Sequence, residues 1–313
     1  MELERALLSL SKVSRNDVCV SVYEDCSPNQ AEIERICETY SKKLSIDLVF
    51  MPSPVNLGYD KNLWRALTDE SEAEYVMLLS DDDFIDPKHI DQFVDMLYAS
   101  KPDVVISPYI AETLYREGYH YSGDYSIDVL YDSILFSGLT FKVSKTSLRE
   151  DEVRFLSNSI YVQVFLVCKH WSENSLYFKN PLVIAGSDGE NYFGKSEVSS
   201  HMDTLKDRTD LMSNLYYQKY LQRVAYRCLG DFYPSLIANY TANYSKRLVS
   251  HFFRVRMGGS YLSFVRATFE LSKINLTYNK IYLLFILALF VLPKSFVRFL
   301  HNLLISKYRV SGG

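Results

Sequence analysis

Three consecutive aspartates, Asp81, Asp82 and Asp83, are the residues of this chain best suited to chemistry. Adjacent carboxylates repel one another, and holding them together is costly unless a cation neutralises them. Hard oxygen ligands of this kind suit Mg2+ or Mn2+ bound along with substrate phosphates. The plainer alternative is a solvated acidic turn at the start of the next helix, where negative charge is favoured. Position favours the cation. The turn follows directly on Glu74-Tyr-Val-Met-Leu-Leu-Ser80, apolar enough to be a strand covered on both faces. Ligands of open α/β sheets bind outside the carboxyl ends of such strands.

The elements that must position this turn are legible as alternating periods. Asp17 to Tyr23 reads as a strand, with Val18, Val20 and Val22 on one face, followed by a turn at Glu24–Asn29. Gln30 to Lys43 reads as a helix, Ile46 to Met51 as a strand, and Pro52–Gly58 as a loop handing over to a helix that runs through Leu67. After the aspartates, Asp86-Pro87 supplies a helix cap with proline at the first helical position, and Ile90, Phe93, Val94 and Leu97 form the stripe of a helix packed on a sheet. Asp103 to Tyr109 is the next strand. Ala111 to Ser133 is Tyr-rich and reads as loop or a small hairpin, Ser157 to Trp171 as helix, Tyr177 to Ile184 as extended chain, and everything from about Met202 as helical. Strands alternating with helices imply an α/β domain with a largely parallel sheet.

Composition bounds the rest. The chain has 313 residues, is 48% hydrophobic and 23% charged, and can bury a sizeable core. Five cysteines without CxxC pairing fit a reducing compartment, as small core residues. The start Met-Glu-Leu-Glu-Arg has neither the basic residues nor the apolar stretch of an export signal, so a cytoplasmic location is expected. The net charge of −4 conceals an asymmetry: residues 241–313 hold 11 Lys and Arg against a single acid, Glu270. Those cations lie among apolar residues, which points to anionic lipid rather than nucleic acid. Ile281 to Leu292 carries no charge, and beyond Pro293 the residues Phe296, Phe299, Leu300 and Leu303 recur at helical spacing between Lys294 and Arg298. The segment 278–308 is read as an anchor on the membrane surface, with a tilted span or a buried helix pair as alternatives.

With these residues in view, a resemblance becomes specific. "NLGYDKNLWRAL" (Asn56–Leu67) followed by "EYVMLLSDDDFIDP" (Glu74–Pro87), after "VCVSVYEDCSPN" (Val18–Asn29), resembles the donor half of family 2 glycosyltransferases of the GT-A fold. "ILFSGLTFKV" (Ile134–Val143) resembles the acceptor-side strand, and the abequosyltransferase type of O-antigen enzyme is the subgroup it is most similar to. The resemblance implies a GT-A domain over 1–200, with a donor half at about 1–110 and an acceptor half at about 111–200, and a helical region over 201–313. It implies that Glu24 and Asp25 lie near the nucleoside, and that Asn56, Asp60 and Lys61 lie near the donor base or diphosphate. Aligned through Pro87, the family's Asp-x-Asp signature falls on Ser80 and Asp82, which makes Asp82 the first metal ligand, Asp83 the second and Asp81 a donor contact. Two departures stand out: the family's first, central strand has no counterpart, and its acidic base motif is not recognisable in Ser157–Leu166. Asp151 and Asp188 are the fallback bases, each weighed against being a surface acid.

The activity so implied is metal-dependent, inverting transfer from a nucleotide-sugar donor to a lipid-linked saccharide, for O-antigen or capsule synthesis, at the cytoplasmic face of the inner membrane. Two other classes remain: a degenerate transferase acting as a scaffold, and a Mg2+-dependent nucleotidyltransferase. The latter lacks a Gly-rich phosphate loop before the aspartates.

Overall fold

The computed structural model describes residues 2–69, 72–110, 126–157, 159–186 and 211–241, with 256, 265, 288 and 291–299. The chain divides into two compact units, Met1–Glu190 and Asn191–Gly313.

The first unit is α/β. Its order is α1 (Glu2–Ser9), β1 (Cys19–Glu24), α2 (Gln30–Ser41), β2 (Asp47–Pro52), α3 (Tyr59–Thr68), β3 (Tyr75–Met77), β4 (Phe84–Ile85), α4 (Ile90–Ser100), β5 (Val104–Ile106), β6 (Tyr109–Ile110), α5 (Ile127–Asp132), β7 (Leu139–Lys142), α6 (Glu150–Leu156), α7 (Val162–His170), β8 (Leu176–Tyr177) and β9 (Val183–Ile184). The strands pair as β1-β2, β3-β7-β5-β8 and β4-β9-β6. β7 runs antiparallel to both its neighbours and β9 is antiparallel to β4. The sheet is therefore mixed rather than mostly parallel, because the connection through α5 returns the chain between β3 and β5 instead of crossing over. β1 has β2 as its one described partner and β3 has β7. Cys19 to Tyr23 and Tyr75 to Met77 are all at least partly exposed, so water can satisfy their remaining backbone groups.

The core lies where the periodicities placed it. Ile90, Phe93, Val94 and Leu97 of α4 are buried against Val105 and Phe178, with Phe93 and Phe178 edge to face at 5.1 Å. Burying such side chains contributes roughly 1.5–3 kcal/mol each. β5 is fully buried, and α7 is buried from Val162 through Cys168, as a helix apolar on all sides must be.

Local differences have local causes. α4 begins at Ile90 rather than at Pro87, because the Asp86 side chain accepts from Lys88 N at 3.0 Å and turns the chain before the helix starts. The expected helix from Ser157 starts only at Val162, after Ile160 adopts φ 58°. A β-branched residue there costs about 1–3 kcal/mol and breaks the helical run. Within 111–133 a short helix forms at Ile127–Asp132, capped by Ser126, and residues 111–125 lie outside the described set. Of the five cysteines Cys37, Cys168 and Cys228 are buried, whereas Cys19 and Cys26 are exposed; all are free thiols.

One partly buried base gives the unit a pH response. Burial, and then the charges of Lys169 and Lys145, push His170 down to about 4, against the opposing pull of Asp103 and Glu152. An unfolded histidine takes up its proton near 6.5. Stability is therefore expected to be full above pH 6.5 and to fall as the pH drops from 6.5 towards 4, because the unfolded chain binds the proton first. Thermal melts across that window check this: His170→Gln should flatten the slope, and an unchanged slope would count against it.

In the second unit α8 (Leu211–Phe232) buries Leu221, Val224, Ala225, Cys228 and Leu229, the repeat of an amphipathic helix. Tyr226 meets the buried Tyr240 edge to face at 5.4 Å.

Candidate active site

β1 and β2 run parallel, so the loops that leave Glu24 and Pro52 emerge on the same edge. Both are tied down by carboxylates. Glu24, 5% exposed, accepts from the backbone N–H groups of Cys26 (2.8 Å) and Ser27 (2.6 Å). This fixes a turn in which Cys26 takes the left-handed φ of 56°. Asp25 reaches across to the second loop and accepts from Leu57 N (2.7 Å) and Gly58 N (2.8 Å), while Asn56 Oδ1 also accepts from Gly58 N at 3.0 Å. Gly58 has φ 78°, a conformation glycine adopts without strain. Glu24 and Asp25 thus build the loops. Removing Asp25 as Asp25→Ala leaves two amides without their charged acceptor, and about 2 kcal/mol of stability should go with it. Urea unfolding reads this directly, and an unchanged midpoint would show the clamp to be incidental.

α3 starts directly after this clamp. Asp60 in its first turn is buried at 6% and Lys61 is exposed. Tyr59 packs edge on to Phe136 at 6.2 Å. The next residue, Ser137, organises the acidic turn, so this aromatic contact links the start of α3 to the aspartates.

The acidic turn is held from three directions. Ser80 N donates to Ser137 Oγ at 3.0 Å, and the Ser137 hydroxyl donates to Asp83 through a short hydrogen bond. Tyr109 donates its hydroxyl to the other Asp83 oxygen at 3.0 Å, and the Gly186 N–H also donates to this carboxylate. Asp83 is 5% exposed; burial pushes its pKa up, and the bonds from Ser137 and Tyr109 oppose that. Gly138, with φ 81°, lets its N–H reach Leu78 O at 2.8 Å and completes the ladder beneath. Asp83 is accordingly braced within the turn, with one hydrogen-bond partner on each carboxylate oxygen.

Asp81 and Asp82 are what this anchor leaves at the turn. Asp81 is an exposed residue of the turn; desolvation by the surrounding protein, then the charges of Asp82, Glu2 and Asp83, push it up to about 6. Glu2 arrives from α1, which packs on β4 and whose Ser9 Oγ accepts from Ile85 N at 3.2 Å. Arg5 of the same helix lies over Phe84 at 5.9 Å. Among the described residues no three His, Cys, Asp or Glu side chains converge as ligands of a metal ion. A cation at this turn would be met by the carboxylates of Asp82 and Asp81. One or two carboxylates with the remaining positions filled by phosphate and water is an ordinary arrangement for Mg2+, so the residues fit.

The fallback bases fare differently. Asp151 sits in the first turn of α6 in an exposed pair with Arg149 at 3.0 Å. Its neighbour Glu152 is buried and binds Lys169 at 2.8 Å, joining α6 to α7. Asp188 lies outside the described residues. Sequence reasoning missed Ser137, Tyr109, Gly186 and Glu2. Ser137 alone had a signal, its place in the quoted acceptor-side strand.

An acidic turn at a strand end, with two braced loops in the same α/β unit, is an arrangement suited to a phosphate-bearing substrate. Residues 2–155 match the family described as Glycosyl transferase family 2. The protein is a glycosyltransferase carrying a family 2 domain over those residues. No curated protein matches the chain. Among solved structures it is similar to S. aureus TarS 1-349, at 16% identity over 85% of this chain and 77% of that one, with a TM-score of 0.43. The same protein in complex with UDP-GlcNAc is similar at 14% identity over 87% and 84%, with a TM-score of 0.46. Its complex with UDP gives 15% identity over 86% and 83%, with a TM-score of 0.43.

Proposed function

We propose that this glycosyltransferase moves a sugar from a nucleotide-sugar donor to a hydroxyl of a lipid-linked saccharide, in the synthesis of a cell-surface polysaccharide such as O-antigen or capsule. The observation that carries the reading is the division of labour in the acidic turn: Asp83 is anchored by Ser137, Tyr109 and Gly186, while Asp82 and Asp81 remain to meet the donor. A bound Mg2+ or Mn2+ would offset the charge of the departing nucleoside diphosphate. Asp82 and Asp81 would hold it, and the Asp25 clamp would fix the loop carrying Asn56, and with it the start of α3 carrying Asp60 and Lys61, beside the donor. Transfer is read as a single inverting displacement, with a carboxylate taking the acceptor proton. The basic, apolar tail supports a place on the cytoplasmic face of the inner membrane, where a lipid-linked acceptor is confined.

Isothermal titration with a panel of nucleoside diphosphates, with and without Mn2+, tests this. Binding that requires the metal supports the transferase with its cation. Binding indifferent to metal removes the cation from the proposal, and no binding at all would favour a degenerate scaffold.

A further inference from the structure

Residues 291–299 present an exposed apolar surface. Val291 is 85% exposed, Phe296 46% and Phe299 58%. Three of the ten exposed large hydrophobic residues of the described chain thus fall within nine positions, and the others are scattered, as surface apolar residues ordinarily are. Residues 294–299 are helical. Val297 within that turn is fully buried, so one side is anchored while Phe296 and Phe299, three apart, face away from it. Their rings pair at 6.2 Å and 34°, forming one apolar edge.

The presentation is fixed by the chain before it. Val297 N donates to Pro293 O at 3.0 Å, and the buried Arg256 guanidinium donates to Leu292 O at 3.2 Å, which pins the bend where the preceding helix ends. Lys294 and Arg298, four apart and both exposed, flank the aromatic edge. No acid accompanies them: residues 271–313 hold six Lys and Arg and neither Asp nor Glu.

We propose that residues 291–299 dock on an anionic lipid surface, with Phe296 and Phe299 entering the headgroup boundary and Lys294 and Arg298 meeting lipid phosphates. This deepens the peripheral-membrane part of the function proposed above and rests on it. Charge selects the occupant. A second copy would bring the same cations against these, whereas an anionic leaflet is complementary to them, and paired aromatics beside cations suit the interface between headgroups and acyl chains.

Co-sedimentation of the full chain with vesicles of phosphatidylcholine alone, and with phosphatidylglycerol added, tests the surface. The wild type should sediment with the anionic vesicles and much less with the neutral ones. Phe296→Ser with Phe299→Ser should lower the partition about tenfold, since binding scales with the apolar area buried. Lys294→Gln with Arg298→Gln should lower it on anionic vesicles only, as should added salt, which screens the headgroup attraction. A wild type that stays in the supernatant overturns the proposal, even where a variant fails to fold. So does an aromatic double variant that sediments as the wild type does, or one that changes the oligomeric state and leaves vesicle binding untouched. Nucleoside diphosphate titration of the same samples should be unaffected by either pair, which separates failure of this surface from failure of the transferase reading.

Discussion

Alanine at position 82 should cut sugar transfer by about a hundred- to a thousandfold, the scale seen when a group opposing transition-state charge is removed. The reasoning runs through Asp83. Its two oxygens are held by Ser137 and Tyr109, with the Gly186 N–H as a third partner, and the proposed function gives Asp82 and Asp81 the task of meeting the diphosphate through a cation. A single-turnover assay with labelled donor at saturating Mn2+ reads the loss, and the melting temperature of Asp82→Ala should stay near that of the wild type. Asp83→Ala is the contrast. It orphans two hydroxyls and an amide around a buried site, so it should lower stability by about 1–3 kcal/mol as well as transfer. Equal melting temperatures for the two variants would contradict the division of roles, and undiminished transfer by Asp82→Ala would remove the aspartate turn from the reaction altogether.

A side chain at Gly186 should be nearly as harmful, although this residue carries no functional group. A Cβ built there falls inside the contact radius of the Asp82 carbonyl oxygen and close to the carbonyl carbon. The colliding atoms are backbone, so no rotamer change relieves the clash, and the acidic turn itself must shift. Misplacement on the order of 1 Å at a reacting centre costs about a hundredfold. Gly186→Val should therefore lower transfer by about that factor and weaken the Gly186 N–H bond to Asp83. Gly230→Ala provides the control, since nothing lies within 4 Å of the added methyl. In the last turn of α8 that change should be neutral or stabilising by up to about 1 kcal/mol. If Gly186→Val transferred sugar at the wild-type rate, the close approach of these two segments would have no bearing on the site.

Much of this protein was written in its periodicities. The apolar stripe of α4, the alternating valines of β1 and the uninterrupted apolar run before Ser80 fixed the α/β class, because burial of one face imposes spacing that survives in a linear string. The aspartate run marked the turn on which the proposed site is built, since like charges that close together need a reason. Glu24 was also within reach, as its partners are the amides two and three residues on. What the linear string could not show was which aspartate does which task. Asp83 is claimed by residues 26 and 54 positions away, and by Gly186 farther still; Asp25 is claimed by amides 32 and 33 positions away. Identical side chains three in a row are equivalent until neighbours from other strands desolvate one and leave the next to the solvent. Pairing across strands carries no periodic signature, so the direction of β7 and the grip of Ser137 on the turn were decided only when the chain closed on itself.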